Sequence, residues 1–95
     1  MPDTAPNSAT AEVVIRNQLG LHARPAMSFV DTASTFTADV KVRKGTQEVD
    51  GKSIMQMMML AATCGTTLTI EATGADAAAA VEALRQLVES KFDED

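Results

Sequence analysis

The chain's one histidine, His22, is followed two residues later by Arg24 and then by Pro25. Proline is tolerated in the first turn of a helix, where its missing N–H costs little, so this spacing sets His22 at or just before a helix start. The first N–H groups of a helix have no helical partner, and the summed peptide dipoles make that end positive. A phosphate held there would meet backbone donors and the Arg24 guanidinium. A neutral imidazole is the form able to attack a phosphoryl donor. The product is a phosphoramidate, an energy-rich bond whose phosphoryl group can be handed on. No second acid or base stands beside His22 in sequence to hydrolyse it, which suits carriage better than turnover. Spacing alone leaves equally open a histidine that merely caps a helix.

Three other features bear on chemistry. Gly45 to Ser53 has the look of a nucleotide-binding loop, but five residues separate Gly45 from Gly51. A P-loop has four at that place, follows a buried parallel strand and opens a long helix, so nucleotide binding is set aside. Met55, Met57, Met58 and Met59 crowd together with Ile54 and Leu60, interrupted only by Gln56. Apolar residues at nearly every successive position point all round a helix, and a helix lying on a surface cannot bury them all. Methionine suits adaptable binding surfaces, so part of this cluster is expected to form an exposed interaction patch. The competing reading is that all of them fill an aromatic-poor core. Lys41, Arg43 and Lys44 form a basic strip, read as the solvated face of a strand.

At 95 residues the chain is a single domain. The net charge of −5 lies wholly in residues 61–95, since acids and bases balance over residues 1–60. An acidic domain is a poor nucleic-acid binder. The single Cys64 excludes an internal disulfide and a cysteine-based zinc cluster, and is expected to be a small buried thiol beside Gly65. No metal or cofactor is expected. The N-terminus lacks a basic segment followed by an apolar run, and no apolar stretch is long enough to span a bilayer. With a lone thiol, these features point to the cytoplasm and to no membrane insertion.

The elements that must position His22 follow from periodicity. Residues 1–10 are polar without period and read as a disordered tail, leaving 11–95 as the domain. Glu12 to Asn17, centred on Val13-Val14-Ile15, reads as a strand. Gln18 to Leu21 is a loop. A helix then carries Ala26, Phe29, Val30 and Ala33 on one face and fades near Ser34-Thr35. Ala38, Val40 and Val42 alternate with charged residues in a half-buried strand, and a turn at Lys44-Gly45-Thr46 returns it through Gln47 to Val49. Ser53 is the natural N-cap of a short helix reaching about Leu60. Leu68, Ile70 and Ala72 mark another half-buried strand. Asp76 is expected to cap a last helix striped by Ala77, Ala80, Val81, Leu84, Leu87 and Val88, with Phe92 pinning its end. The order β-α-β-β-α-β-α with one-sided strands implies an α+β two-layer open-faced sandwich, an antiparallel sheet with the three helices on one face.

Leu21-His22-Ala23-Arg24-Pro25-Ala26, followed about thirty residues later by Gly51-Lys52-Ser53-Ile54-Met55, resembles the HPr family. These are the histidine-containing phosphocarriers of the bacterial phosphoenolpyruvate-dependent phosphotransferase system. The resemblance covers roughly residues 11–92 and implies a monomeric carrier, not an enzyme, with a four-stranded sheet of order 1-4-2-3. It implies that His22 is phosphorylated by Enzyme I and passes the group to Enzyme IIA domains, and that Arg24 stabilises the phosphoryl group. It also implies that Ser53 is the position modified in many members by an HPr kinase/phosphorylase. The implied partner surface is Ile54, Met55 and Met58, with Leu21, Phe29 and Lys52 beside it. Leu19, Gln56 and Met59 depart from the usual residues and bear on partner choice, and they leave a nitrogen-related regulatory branch open as the alternative to a sugar-transport one. Two rivals from other classes are a non-catalytic ligand-binding α/β module and a small phosphatase-like enzyme. The latter lacks a water-positioning residue beside Arg24.

Overall fold

The computed structural model describes residues 7–93. Its elements are β1 (Ser8–Val14), α1 (Ala23–Ser34), β2 (Asp39–Lys44), β3 (Gln47–Asp50), α2 (Ile54–Met59), β4 (Thr67–Thr73) and α3 (Ala77–Glu89). A left-handed turn, Lys91–Asp93, follows α3 and buries Phe92. The sheet is antiparallel in the order β1-β4-β2-β3, with the three helices packed over it. The last-made strand, β4, is therefore central: Leu68 and Ile70 face Val13 and Ala11 of β1, and Ile70 and Ala72 face Val42 and Val40 of β2. The alternation of Val40 and Val42 with exposed Asp39 and Lys41 gives one dry and one wet face.

Onto the dry face pack α1, through Ala26, Phe29 and Ala33, and α3, through Ala77, Ala80, Leu84 and Val88. Fully burying a side chain such as Phe29 or Leu84 contributes about 1.5–3 kcal/mol. Pro25 lies in the first turn of α1 and is buried, as its fixed φ allows. The far end of α1 closes where Thr35 turns its hydroxyl back onto the Thr32 carbonyl at 2.7 Å.

Three expectations are corrected. The strand begins at Ser8, so Ser8–Thr10 are not tail but paired edge strand, held by backbone bonding from Ser8 opposite Thr73; residues 1–6 of the expected tail lie outside the described residues. Asp76 occupies the N-cap position of α3 but makes no capping bond. Its carboxylate instead accepts from the N–H groups of Thr37 (2.9 Å) and Ala38 (2.8 Å), where the chain enters β2. These bonds, led by that from Thr37, hold the Asp76 carboxyl below the usual aspartate range. Cys64 is exposed, not buried. It lies in the turn before Gly65, which has φ +95°, and its thiol faces the Arg16 carbonyl at 3.7 Å.

Candidate functional site

The loop from Asn17 to His22 is held from both sides. Buried Asn17 donates through Nδ2 to the Gly20 carbonyl at 2.6 Å, and the Gly20 N–H returns to the Asn17 carbonyl at 3.0 Å. Gly20 has φ +71°, and a Cβ there would stand 2.6 Å from the Ala62 carbonyl oxygen. Only glycine lets the loop lie this close to residues 62–63. The next N–H, of Leu21, donates to that same carbonyl at 2.8 Å. His22 is thus delivered to the start of α1 by a loop clamped onto the segment that follows α2.

His22 is the N-cap residue of α1, in extended conformation, and its carbonyl accepts from the Ala26 N–H at 3.0 Å as the first helical bond. Its side chain makes no capping hydrogen bond. A histidine present only as a cap would direct its ring at the N–H groups of its own first turn. Here the ring is half-buried at the positive end of a twelve-residue helix, and Arg24 is exposed on the first turn. An imidazole, helix-end donors and a guanidinium within one turn of chain are the kinds of group from which a site that accepts and steadies a phosphoryl group can be built.

Ser53 caps α2 as expected, its Oγ accepting from the Gln56 N–H at 3.2 Å. The Gln56 side chain folds back to accept from the Asp50 N–H at 2.9 Å instead of extending outward. Of the residues read as a partner surface, Met55 and Met58 are exposed and Ile54 is half-buried. Leu21 and Phe29 are buried and form core, not surface. Phe29 points inward beneath Gly51, where an added Cβ would touch its ring at 3.3 Å. Lys52 sends its ammonium to the Phe36 carbonyl at 2.7 Å, bracing the start of α2 against the end of the α1 segment.

The methionine cluster divides as helical geometry requires: Met57 faces the core, and Met55 and Met59, one turn apart, face outward. One exposed apolar side chain, Met27, escaped the sequence reading as surface, and Leu19, singled out there for partner choice, is exposed as well. Met27 falls off the Ala26, Phe29, Ala33 stripe, which was the available signal, and Leu19 stands outward from the clamped loop. The basic strip also divides. Lys44 Nζ donates to the Leu60 carbonyl at 2.6 Å, and Gln47 beside it donates to that of Met59 at 3.2 Å, so the hairpin β2–β3 closes the C-terminal end of α2. Arg43 lies on the wet face between Glu71 (2.8 Å) and Glu48 (3.4 Å), and the bond to Glu71 leads in raising its pKa. Among the described residues, no group of three His, Cys, Asp or Glu side chains is arranged to hold a metal. None of the described helices is long and apolar enough to cross a membrane.

An antiparallel sheet of order β1-β4-β2-β3 under three helices, with one histidine set where α1 begins, defines an α+β open-faced sandwich that places its histidine at a helix start. The family described as "PTS HPr component phosphorylation site" matches residues 9–90. Phosphocarrier protein HPr of Neisseria meningitidis is 49% identical over 82 residues, covering 86% of this chain and 92% of that protein. Phosphocarrier protein NPr of Proteus mirabilis is 43% identical over 84 residues, covering 87% and 93%. The crystal structure of HPr-C-His from Thermoanaerobacter tengcongensis superposes with a TM-score of 0.89 at 42% identity, over 92% of this chain and 98% of that one. The chain belongs to the HPr family, the phosphocarrier proteins of the phosphotransferase system.

Proposed function

We propose that His22 takes a phosphoryl group from phospho-Enzyme I and passes it to Enzyme IIA domains in the cytoplasm. An imidazole nitrogen attacks the phosphorus, the bond to the Enzyme I donor breaks as the N–P bond forms, and the reverse exchange delivers the group onward. The carrying observation is that His22 holds the N-cap position of α1 without its side chain capping the helix. The Arg24 guanidinium offsets charge on the phosphoryl oxygens through charge-assisted bonds. The exposed Met55 and Met58, with half-buried Ile54, give a partner an apolar surface beside the site. Ser53, at the start of the helix bearing that surface, is the regulatory position where an HPr kinase/phosphorylase would add a phosphate. The protein acts as a monomeric carrier and turns over no substrate of its own.

The test is incubation with Enzyme I and labelled phosphoenolpyruvate, followed by mapping of the label. Label on His22, labile in acid and stable in base, is the expected result, and His22→Ala should take none while keeping its fold. Label retained by the alanine variant would overturn the assignment. The NPr relative makes a nitrogen-branch Enzyme I a useful second donor, and the faster donor identifies the branch.

A further inference from the structure

Among the described residues, the exposed large apolar side chains are Leu19 and four methionines, Met27, Met55, Met58 and Met59. Met55 is 76% exposed and Met59 67%, one turn apart on the outer face of α2, with Met58 at 45% beside them. Met57, in the same helix, is fully buried. The cluster lies near His22 because α2 runs antiparallel to α1. Lys52, at the start of α2, bonds to Phe36 beyond the end of α1, and Ala62, beyond the end of α2, bonds to Leu21 just ahead of α1. The apolar character of this surface therefore rests on thioethers, the one apolar side-chain chemistry that oxidation makes polar.

We propose that the exposed thioethers of Met55, Met58 and Met59 are a reversible oxidation site at which peroxide lowers phosphoryl transfer through His22. The effect on transfer rests on the carrier function proposed above. In the oxidation step the sulfur attacks one oxygen of hydrogen peroxide. An S–O bond forms, the O–O bond breaks, sulfur gives up two electrons, and the other oxygen leaves as water with both peroxide protons. A reductase using two thiols reverses the step, yielding the thioether, a disulfide and water. A sulfoxide is a strong acceptor that a partner must strip of water without returning a hydrogen bond. Docking on α2 then weakens while the fold, whose core contains Met57 and not the exposed three, persists.

The experiment uses the full chain carrying Cys64→Ser and Met27→Leu, which removes the other exposed sulfurs among the described residues. Treatment with hydrogen peroxide, followed by peptide mass mapping, should show one added oxygen on each of Met55, Met58 and Met59 and none on Met57. The apparent KM for transfer from phospho-Enzyme I should rise about tenfold, the circular dichroism spectrum should stay unchanged, and methionine sulfoxide reductases with dithiothreitol should restore the untreated value. A second protein carries Met55→Leu, Met58→Leu and Met59→Leu as well. Compared with its own untreated sample, it should lose nothing to peroxide, whatever its starting rate. An unchanged KM with the three sulfoxides verified would overturn the proposal. So would equal peroxide loss in the leucine variant, loss of fold on oxidation, or Met57 oxidising as fast as Met55. Untreated protein that takes no label from Enzyme I would instead sink the carrier function itself, which separates the two failures.

Discussion

Gly20→Ala isolates what clamps the histidine loop, and Gly45→Ala supplies its control. Both glycines have positive φ, +71° and +61°. A left-handed conformation costs an alanine about 1–2 kcal/mol, partly offset by about 0.4–1 kcal/mol because alanine restricts the unfolded chain. At Gly45 nothing lies within 4 Å of an added Cβ, so the net loss there should be about 0–1.5 kcal/mol. At Gly20 the added carbon would stand 2.6 Å from the Ala62 oxygen and 2.9 Å from the Thr63 Cα, both backbone atoms. Neither can swing aside as a flexible side chain would, so the loop must move. An overlap of this kind adds about 1–3 kcal/mol, for a total near 1–4.5 kcal/mol. The movement also pulls the Leu21 N–H off the Ala62 carbonyl and shifts His22, so labelling by Enzyme I should slow in Gly20→Ala and not in Gly45→Ala. Urea unfolding monitored by circular dichroism gives the two stabilities, and a single-turnover labelling assay gives the rates. Equal midpoints and equal labelling rates for the two variants would refute the clamp.

Arg24→Ala should slow transfer with little change in melting temperature, because the side chain is exposed. Arg24→Lys should rescue only in part, since the charge stays but the planar fork is lost; quench-flow transfer rates decide the order. Ser53→Asp keeps a good N-cap and should leave the melting temperature nearly unchanged while raising the apparent KM for Enzyme I, which steady-state transfer assays would show. Asp76→Asn should destabilise at neutral pH, because an amide turns an NH2 group toward one of the two N–H donors that the carboxylate now accepts from. The Asp76 carboxyl is depressed in the folded state, so its contribution is complete above the ordinary aspartate value of about 3.9 and fades as pH falls through the folded value. Denaturant midpoints for wild type and Asp76→Asn should therefore converge in acid, and a gap that stays constant to low pH would count against the ionised bridge.

What could be read from the sequence was whatever local spacing controls. Pro25 and the Ala26, Phe29, Ala33 stripe locate α1 to within about a residue at each end, and Ser53 locates the start of α2. The strand order 1-4-2-3 came from the family resemblance, since one-sided strands require only an antiparallel sheet with helices over one face. The losses are all long-range. The beginning of β1 is spelled in Ser8, Ala9 and Thr10, which have weak alternation and are ordered by backbone pairing to a strand more than sixty residues away. Asp76 looked like a local cap, and the competing donors at Thr37 and Ala38 are invisible until the fold brings them near. Cys64 sits in a turn with no period to say which way it faces. The methionine run required some exposure, yet which of its members turns inward depends on how α2 is rolled against its neighbours, and that choice falls on Met57. At the site, the sequence brought His22 and Arg24 to a helix start but did not reveal the Gly20 clamp onto Ala62.

The central position of β4 also sets the order in which the chain can be made and finished. On the ribosome, β1, β2 and β3 all emerge before the strand that joins them. The hairpin β2–β3 forms alone, but Ser8 must wait for Thr73. At about 5–20 residues per second, that wait is on the order of 3–13 s. Through it, β1 has no neighbour and the inner face of α1 has only half a sheet to cover it. Such a high contact order makes closure of the sheet the slow event, and it keeps an unpaired strand available to other chains until synthesis is nearly complete. The vulnerable period is thus the seconds of translation rather than the working life of the finished fold.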